Sequence, residues 1–343
     1  MRAGPLRLAI VGRRGYTNIG ESLRDAAAAA GHAVSLFDSD EAFEGPALAR
    51  AIAWRAGRRP VALERFSARV AEACARERPD LLIVTGMSGL SRRALDALRA
   101  AGVASANYST DDPWNPAVSA PWHLEALPAY DHVFTPRRAN LDDFRRVGCA
   151  DVRYLPFGYD PRHAAPPATP PVDAGADVLF VGGADADRAR FIREMGRCGA
   201  DVVLVGRYWD RHGDLRGRSF GVLEVSELRP LTAAAKVNLC LVRRANRDGH
   251  VMRSLEIGAI GGCMLAEDTG EHHELFGPEG EAVRYFQSPA EAAAKARALI
   301  SDASERRRLA ATLLQRIARG GHTYGDRLAS MIAAARPGKA DAA

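Results

Sequence analysis

Lysine is nearly absent from this chain. Lys236, Lys295 and Lys339 are the three lysines among 47 basic residues, and the arginines that make up the rest are scattered along all 343 positions. The formal charge of +5 therefore lacks the clustered cationic face that a nucleic-acid backbone calls for, so nucleic acid is not an expected partner. Weak attraction to anionic membrane or polymer surfaces stays open. Cysteine is sparse as well: Cys74, Cys149, Cys198, Cys240 and Cys263 are odd in number and dispersed, with no C-x-x-C spacing. That excludes a disulfide framework or a zinc site and makes a reducing, cytoplasmic setting the expectation. No apolar run approaches the about 20 residues of a membrane span. The N-terminal run Leu8–Val11 is too short for the core of a signal peptide. The dinucleotide fingerprint G-x-G-x-x-G is missing too. Gly12, Gly15 and Gly20 form G-x-x-G-x-x-x-x-G instead, which disfavours a nicotinamide enzyme even though Asp38 stands near the place of its ribose acid.

What is present is one repeated grammar. Leu6–Val11 is apolar and β-prone, Gly12–Gly20 reads as a turn, Glu21–Ala30 as an alanine-rich helix closed by Gly31, and His32–Phe37 as a strand. Such a βαβ opening predicts a parallel sheet with a ligand site at the carboxyl end of the first strand. Helices at 66–78 and 91–101 and strands at 81–85, 104–108, 133–135 and 152–156 continue the pattern. Residues 161–177 hold five of the 19 prolines and read as a semi-rigid linker. Strands at 178–181, 202–205, 237–242 and 263–266 then alternate with helices at 187–198, 228–235, 290–301 and 304–319, before a last helix at 322–335. The predicted architecture is α/β: two doubly wound, Rossmann-like domains facing a central cleft. The expected divisions are 1–160, the linker 161–177, 178–320, and a terminal helical segment 321–336.

The densest information lies in Asp248–Glu267, DGHVMRSLEIGAIGGCMLAE. Its spacing predicts a short helix carrying His250, Arg253 and Glu256, broken at Gly261-Gly262, then an apolar strand ending at Glu267. At about 100° per residue Met252, Leu255 and Ala259 form one apolar stripe, with His250 and Arg253 opposite it and Glu256 on its flank. Cationic side chains at a helix N-terminus favour an anion, and a carboxylate one turn further can accept from the vicinal hydroxyls of a ribose. The arrangement suits a nucleoside diphosphate; the bland alternative is an Arg–Glu pair on a solvated face.

Other motifs carry two readings each. Asp111-Asp112 beside Trp114 suits a sugar, one acid serving as general base for an acceptor hydroxyl. The same Asp-Pro also suits a helix N-cap with proline at the first helical position. The turn of Gly12, Gly15 and Gly20 lets backbone approach a diphosphate or an acceptor, or is a plain tight turn. Asp185-Ala186-Asp187 has a metal-type D-x-D spacing, but N-capping is the stronger reading. His272-His273 with Glu271 and Glu274 has no third ligand at a telling spacing and reads as a loop near the cleft.

Four stretches carry a resemblance: NYSTDDPWN (Asn107–Asn115), HVMRSLEIGAIGGCMLAED (His250–Asp268), ELFGPEGEAVRYF (Glu274–Phe286) and HTYGDR (His322–Arg327). Together the chain resembles GT-B glycosyltransferases, and within them the spore-maturation-type (CgeB-like) family. The resemblance implies that Glu256 holds the donor ribose, that His250, Arg253 and Arg207 face the donor diphosphate, and that Glu267 belongs to the same donor-side set. It makes Asp248 the second acid of retaining members, in a position usually held by Glu. It also implies no metal and no cofactor, and a terminal helix that crosses back to the first domain. The expected function is transfer of a sugar from a UDP- or GDP-type donor to a hydroxyl of a glycan, protein or small molecule. The alternatives are a nucleotide-sugar epimerase or a non-catalytic nucleotide- or sugar-binding protein on the same scaffold.

Overall fold

Strands such as Leu81–Thr85 and Val178–Val181 are apolar at every position or nearly so, the pattern of a parallel sheet covered on both faces. A computed structural model, which describes residues 4–15, 18–167 and 176–336, shows two such sheets. The first contains β1 (Arg7–Gly12), β2 (Ala33–Asp38), β3 (Leu81–Thr85), β4 (Ser105–Tyr108), β5 (His132–Thr135) and β6 (Val152–Tyr154). Its order is β2-β1-β3-β4-β5-β6, parallel throughout, with Val11 paired to both Phe37 and Val84. The second contains β7 (Val178–Val181), β8 (Val202–Val205), β9 (Val237–Cys240), β10 (Met264–Glu267) and β11 (Arg284–Phe286), ordered β11-β10-β9-β7-β8 and again parallel.

Helices α1 (Ile19–Ala29), α2 (Ala47–Arg55), α3 (Leu63–Glu77), α4 (Arg92–Ala100), α5 (Pro121–Ala126) and α6 (Leu141–Arg146) accompany the first sheet. With the second go α7 (Ala186–Arg197), α8 (Val225–Ala234), α9 (Met252–Ile260), α10 (Gly270–Phe276), α11 (Pro289–Ser301) and α12 (Ala303–Arg319); α13 (Tyr324–Ala335) follows. Each sheet has its own core. Val11, Phe66, Val84, Leu98 and Phe144 represent the first, and Phe180, Ile192, Leu204, Trp209 and Leu239 the second.

The chain divides into two compact units. The first runs to Phe157 and includes residues 245–247 and the chain from Tyr324; the second comprises 158–244 and 248–323. Within the first unit α13 lies against α1, and the buried Arg327 donates twice to the carbonyl of Phe157, at 3.1 and 2.9 Å. Within the second, Tyr159 N–H donates to His322 O at 3.0 Å. Of the proline-rich segment 161–177, residues 168–175 lie outside the described residues, as do Tyr16 and Thr17 of the first glycine turn.

Four helices and a strand escape the periodicity. Helix α2 buries nothing, so it has no inward stripe to read. Helices α5 and α6 have six residues each, and β11 has three. The fourth, α10, occupies the stretch around His272-His273 that reads as a loop from sequence. Thr269 caps it by accepting from His272 N–H at 3.1 Å.

Candidate functional site

In the second sheet the strand order reverses between β7 and β9, and ligands of open α/β sheets bind outside the carboxyl strand ends at such a point. A cavity of about 300 Å³ lies there, lined by Asp185, Arg188, Val242, Arg244, Glu267 and Gln287 among others. Asp185 is the N-cap of α7, accepting from Arg188 N–H at 2.9 Å, so capping is what the structure shows for this D-x-D. The loop after β7 is held close to the loop after β8. A Cβ on Gly206 would stand 2.2 Å from Gly182 O, and Trp209 Nε1 donates to that same carbonyl at 2.9 Å.

Arg188 was not singled out in the sequence, where it looks like one of many helix-face arginines. Its side chain is buried and reaches back to the carbonyls of Gly183 (3.2 Å) and Leu241 (3.1 Å), tying the two loops that flank the reversal. Its Nε has no hydrogen-bond partner among the described residues. Burial lowers its pKa, and Arg243 pushes the same way, while Asp185 and Asp248 oppose them. Glu267 closes the cavity's other side with both oxygens engaged: Arg244 Nη2 lies at 2.8 Å and Val242 N–H at 3.2 Å.

The segment before α9 departs from the helical reading. Val251 is an extended N-cap and the helix begins at Met252, so His250 lies outside it rather than opposite its apolar stripe. His250 is fully buried, its Nδ1 2.6 Å from Glu271 Oε2. Gly249 makes room for this pair, since a Cβ there would come within 2.5 Å of the Glu271 carboxyl carbon. Nor is α9 apolar on one stripe alone: Ser254, Leu255, Ile257, Gly258, Ala259 and Ile260 are all buried. Ser254 Oγ accepts from Val251 N–H at 3.2 Å and lies 2.9 Å from His272 Nε2, while His272 Nδ1 meets Glu267 O at 2.7 Å. A carbonyl needs a donor, so His272 carries its proton on Nδ1 and accepts from Ser254 through Nε2. Burial holds its pKa down at about 4. The network locks the start of α9 to α10 and to the end of β10.

Arg253 and Glu256 remain at the half-buried side of α9, where they form an i,i+3 pair at 3.0 Å. Glu256 Oε2 is the oxygen that faces Arg253 Nη1, and it is buried with no hydrogen bond among the described residues beside that ion pair. The Arg–Glu pair of the bland alternative does form, on a half-buried and not a fully solvated face. Asp248 is half-buried in the approach to α9, close enough to Arg188 to raise its pKa. Arg207 stands apart, exposed in the turn after β8. Among the described residues no group of His, Cys, Asp and Glu has the arrangement of a metal site.

In the first unit the glycine turn has a packing reason. A Cβ on Gly12 would meet Thr85 Oγ1 at 2.5 Å and Gly20 Cα at 3.0 Å, so β1 and α1 touch through glycines; Gly15 takes a φ of 105°. Asp112 is buried and fully engaged. It accepts from Trp114 N–H (3.0 Å), Asn140 Nδ2 (2.9 Å), and Arg247 Nε (2.6 Å) and Nη2 (3.0 Å). Arg247, at a left-handed φ of 53°, also meets Asp143 at 2.7 Å. Asp112 therefore caps a turn and not a helix, and all its lone-pair positions are occupied. Asp111 is half-buried with a carboxylate that has no partner among the described residues, which makes it the available acid of the two. Trp114 packs edge-on to Phe144 with centroids 4.9 Å apart.

Comparison with known proteins agrees with this architecture. Residues 188–333 match the model of a family described as glycosyl transferase-like. Among curated proteins no sequence matches. Sucrose-phosphate synthase from Thermosynechococcus elongatus superposes with a TM-score of 0.70 at 15% identity, covering 97% of this chain and 98% of that one. HepE from Anabaena, solved with UDP and glucose, gives 0.63 at 15% identity, covering 96% and 100%. A candidate UDP-N-acetylglucosamine 2-epimerase from Listeria monocytogenes gives 0.59 at 12% identity, covering 97% and 96%. The fold is of the GT-B type, built from two parallel Rossmann-like sheets.

Proposed function

We propose that this protein is a glycosyltransferase that moves a sugar from a UDP- or GDP-type donor to an acceptor hydroxyl, with retention and without a metal. The carrying observation is the half-buried Arg253–Glu256 pair near the start of α9, whose buried Glu256 Oε2 is held by that ion pair without a hydrogen bond. A carboxylate oxygen that has an ion pair but no hydrogen bond keeps lone pairs to offer, and the hydroxyls of a ribose are suitable donors. Arg253, the N–H end of α9 and Arg188 would meet the diphosphate as the bond from the sugar's anomeric carbon to its oxygen breaks. Asp248, eight positions before Glu256, supplies the second acid on the donor side. Glu267 lines the cavity on that side, and His250, being buried, acts by holding the approach to α9. On the first unit Asp111 is the acid available to an acceptor hydroxyl, and Gly12, Gly15 and Gly20 shape the turn after β1 of the same sheet. The matched glycosyl transferase-like region, residues 188–333, supports the reading, as does the fold shared with a protein solved with UDP and glucose.

The test combines a thermal-shift panel of UDP, GDP, ADP, TDP, CDP and NAD with turnover of the matching nucleotide sugars. One nucleoside diphosphate should stabilise the protein equally with and without a chelator. Glu256→Gln should remove that stabilisation and at least about 100-fold of turnover while melting like the parent. Stabilisation by NAD alone, or near-normal turnover in Glu256→Gln, would overturn the donor site. The shared fold of the Listeria protein keeps an epimerase as the second reading; conversion of a nucleotide sugar with no acceptor present would favour it.

A further inference from the structure

The nine residues of α2, ALARAIAWR, bury none of their side chains. Leu48 is 74% exposed, Ile52 60% and Trp54 52%. Leu48 and Ile52 stand one turn apart and form a ridge. Ala49 and Ala53, about 100° round the helix from that ridge, are its half-buried residues. The small face rests on the body while the large apolar side chains face water, which inverts the usual arrangement.

This inversion is held in place from both ends. Before the helix, Ala62 N–H donates to Ala42 O at 2.9 Å, and a Cβ on Gly45 would come within 2.9 Å of Val61. After it, Gly57 and Arg58 turn the chain with φ of 125° and 54°. Trp122 Nε1 donates to Arg58 O at 3.1 Å, and the Arg58 guanidinium donates to the carbonyls of Ser119 and Pro116. The fold fastens the ends and presents the side.

Charge says what the side faces. Helix α2 carries Arg50 and Arg55 and no acid, and neither arginine has a partner among the described residues. Nearby, Asp40 and Glu41 are neutralised by Arg13 and Arg69, and Arg59 by Glu64; Glu44 stands exposed in the preceding turn. Exposed Leu and Ile, an indole, and unpaired arginines on one acid-free helix match the chemistry of the water–lipid boundary. A nucleic acid would meet the arginines and leave the apolar ridge uncovered.

We propose that α2 is a docking surface for an anionic lipid bilayer. Leu48, Ile52 and Trp54 enter the headgroup–acyl boundary, and Arg50 and Arg55 meet lipid phosphates. The inference stands apart from the proposed chemistry, since none of these residues belongs to the candidate site.

The test uses the full chain with vesicles of phosphatidylcholine alone or mixed equally with phosphatidylglycerol. Trp54 is the reporter, because Trp122 and Trp209 are buried and Trp114 is half-buried. Cosedimentation and a blue shift of tryptophan emission should appear with the mixed vesicles and not with phosphatidylcholine alone. Trp54→Phe should lose the blue shift. Arg50→Gln with Arg55→Gln should weaken partitioning by about tenfold or more, at roughly fivefold per arginine. Leu48→Ser with Ile52→Ser should abolish binding while melting like the parent. Absence of cosedimentation, or equal binding by both double variants, would overturn the proposal. So would a dimer in sedimentation equilibrium that Leu48→Ser with Ile52→Ser dissolves, because a second copy would then be what covers α2.

Discussion

Removing the Glu271 carboxylate is expected to cost more than its peripheral place in the sequence suggests. Its partner His250 has no exposure, and the pair is closed by Gly249. Taking the carboxylate away removes a hydrogen-bond partner from a buried imidazole, at about 1–3 kcal/mol. Glu271→Ala should therefore lower the urea midpoint of the second unit substantially, whereas Glu271→Gln, which keeps the shape, should lose less. Equal and small losses would show that the contact matters little to stability. The residue scale is also where sequence reading was least complete. Arg253 and Glu256, read as lying opposite the apolar stripe and on its flank, are close enough at i,i+3 for the pair that forms. His250 could not be placed that way, because the same spacing is compatible with an extended N-cap that turns its ring inward. Asp112 was readable as an acid beside a turn, but the four N–H groups that occupy it come from residues as distant as Arg247.

At the scale of elements, α9 depends on its closeness to α12. A Cβ on Gly258 would lie 2.8 Å from Ile317 Cγ1 and 2.9 Å from Leu313 Cγ. Two effects oppose one another in Gly258→Ala: helix propensity favours alanine by about 1 kcal/mol, while overpacking costs about 1–3 kcal/mol. Both contact atoms belong to packed branched side chains, so overpacking should win, and the variant should melt below the parent. Because α9 also carries Glu256, nucleotide-induced stabilisation should fall with it. A rise in melting temperature would show that α12 can move aside. Most strands were legible, since continuous apolar runs between turn residues are what a parallel sheet demands. Helix α10 was not, because its short turn of Glu and His resembles a polar loop until Thr269 caps it and β10 and α9 bury one side.

For the molecule as a whole, acid should weaken both units. His123 in the first and His272 in the second are held neutral by burial, each lowered from 6.5 to about 4. The unfolded chain then takes up a proton first as pH falls through the ordinary histidine value. The part of the stability that rests on these two histidines is therefore full above about 6.5, declines towards about 4, and levels below it. Each histidine contributes on the order of 3 kcal/mol at the acid limit. Urea titrations across that range should show this slope, and His123→Leu should flatten the first unit's share; a pH-independent midpoint would refute it. The sequence by itself determined the two parallel α/β halves and the identity of the charged groups on α9, because strand burial and helix period are local properties of the chain. Tertiary structure alone decided which of those groups stay open. Glu256 Oε2 has its ion pair with Arg253 and no hydrogen bond, while Asp112 is saturated and His250 is sealed, since satisfaction depends on neighbours contributed by distant segments.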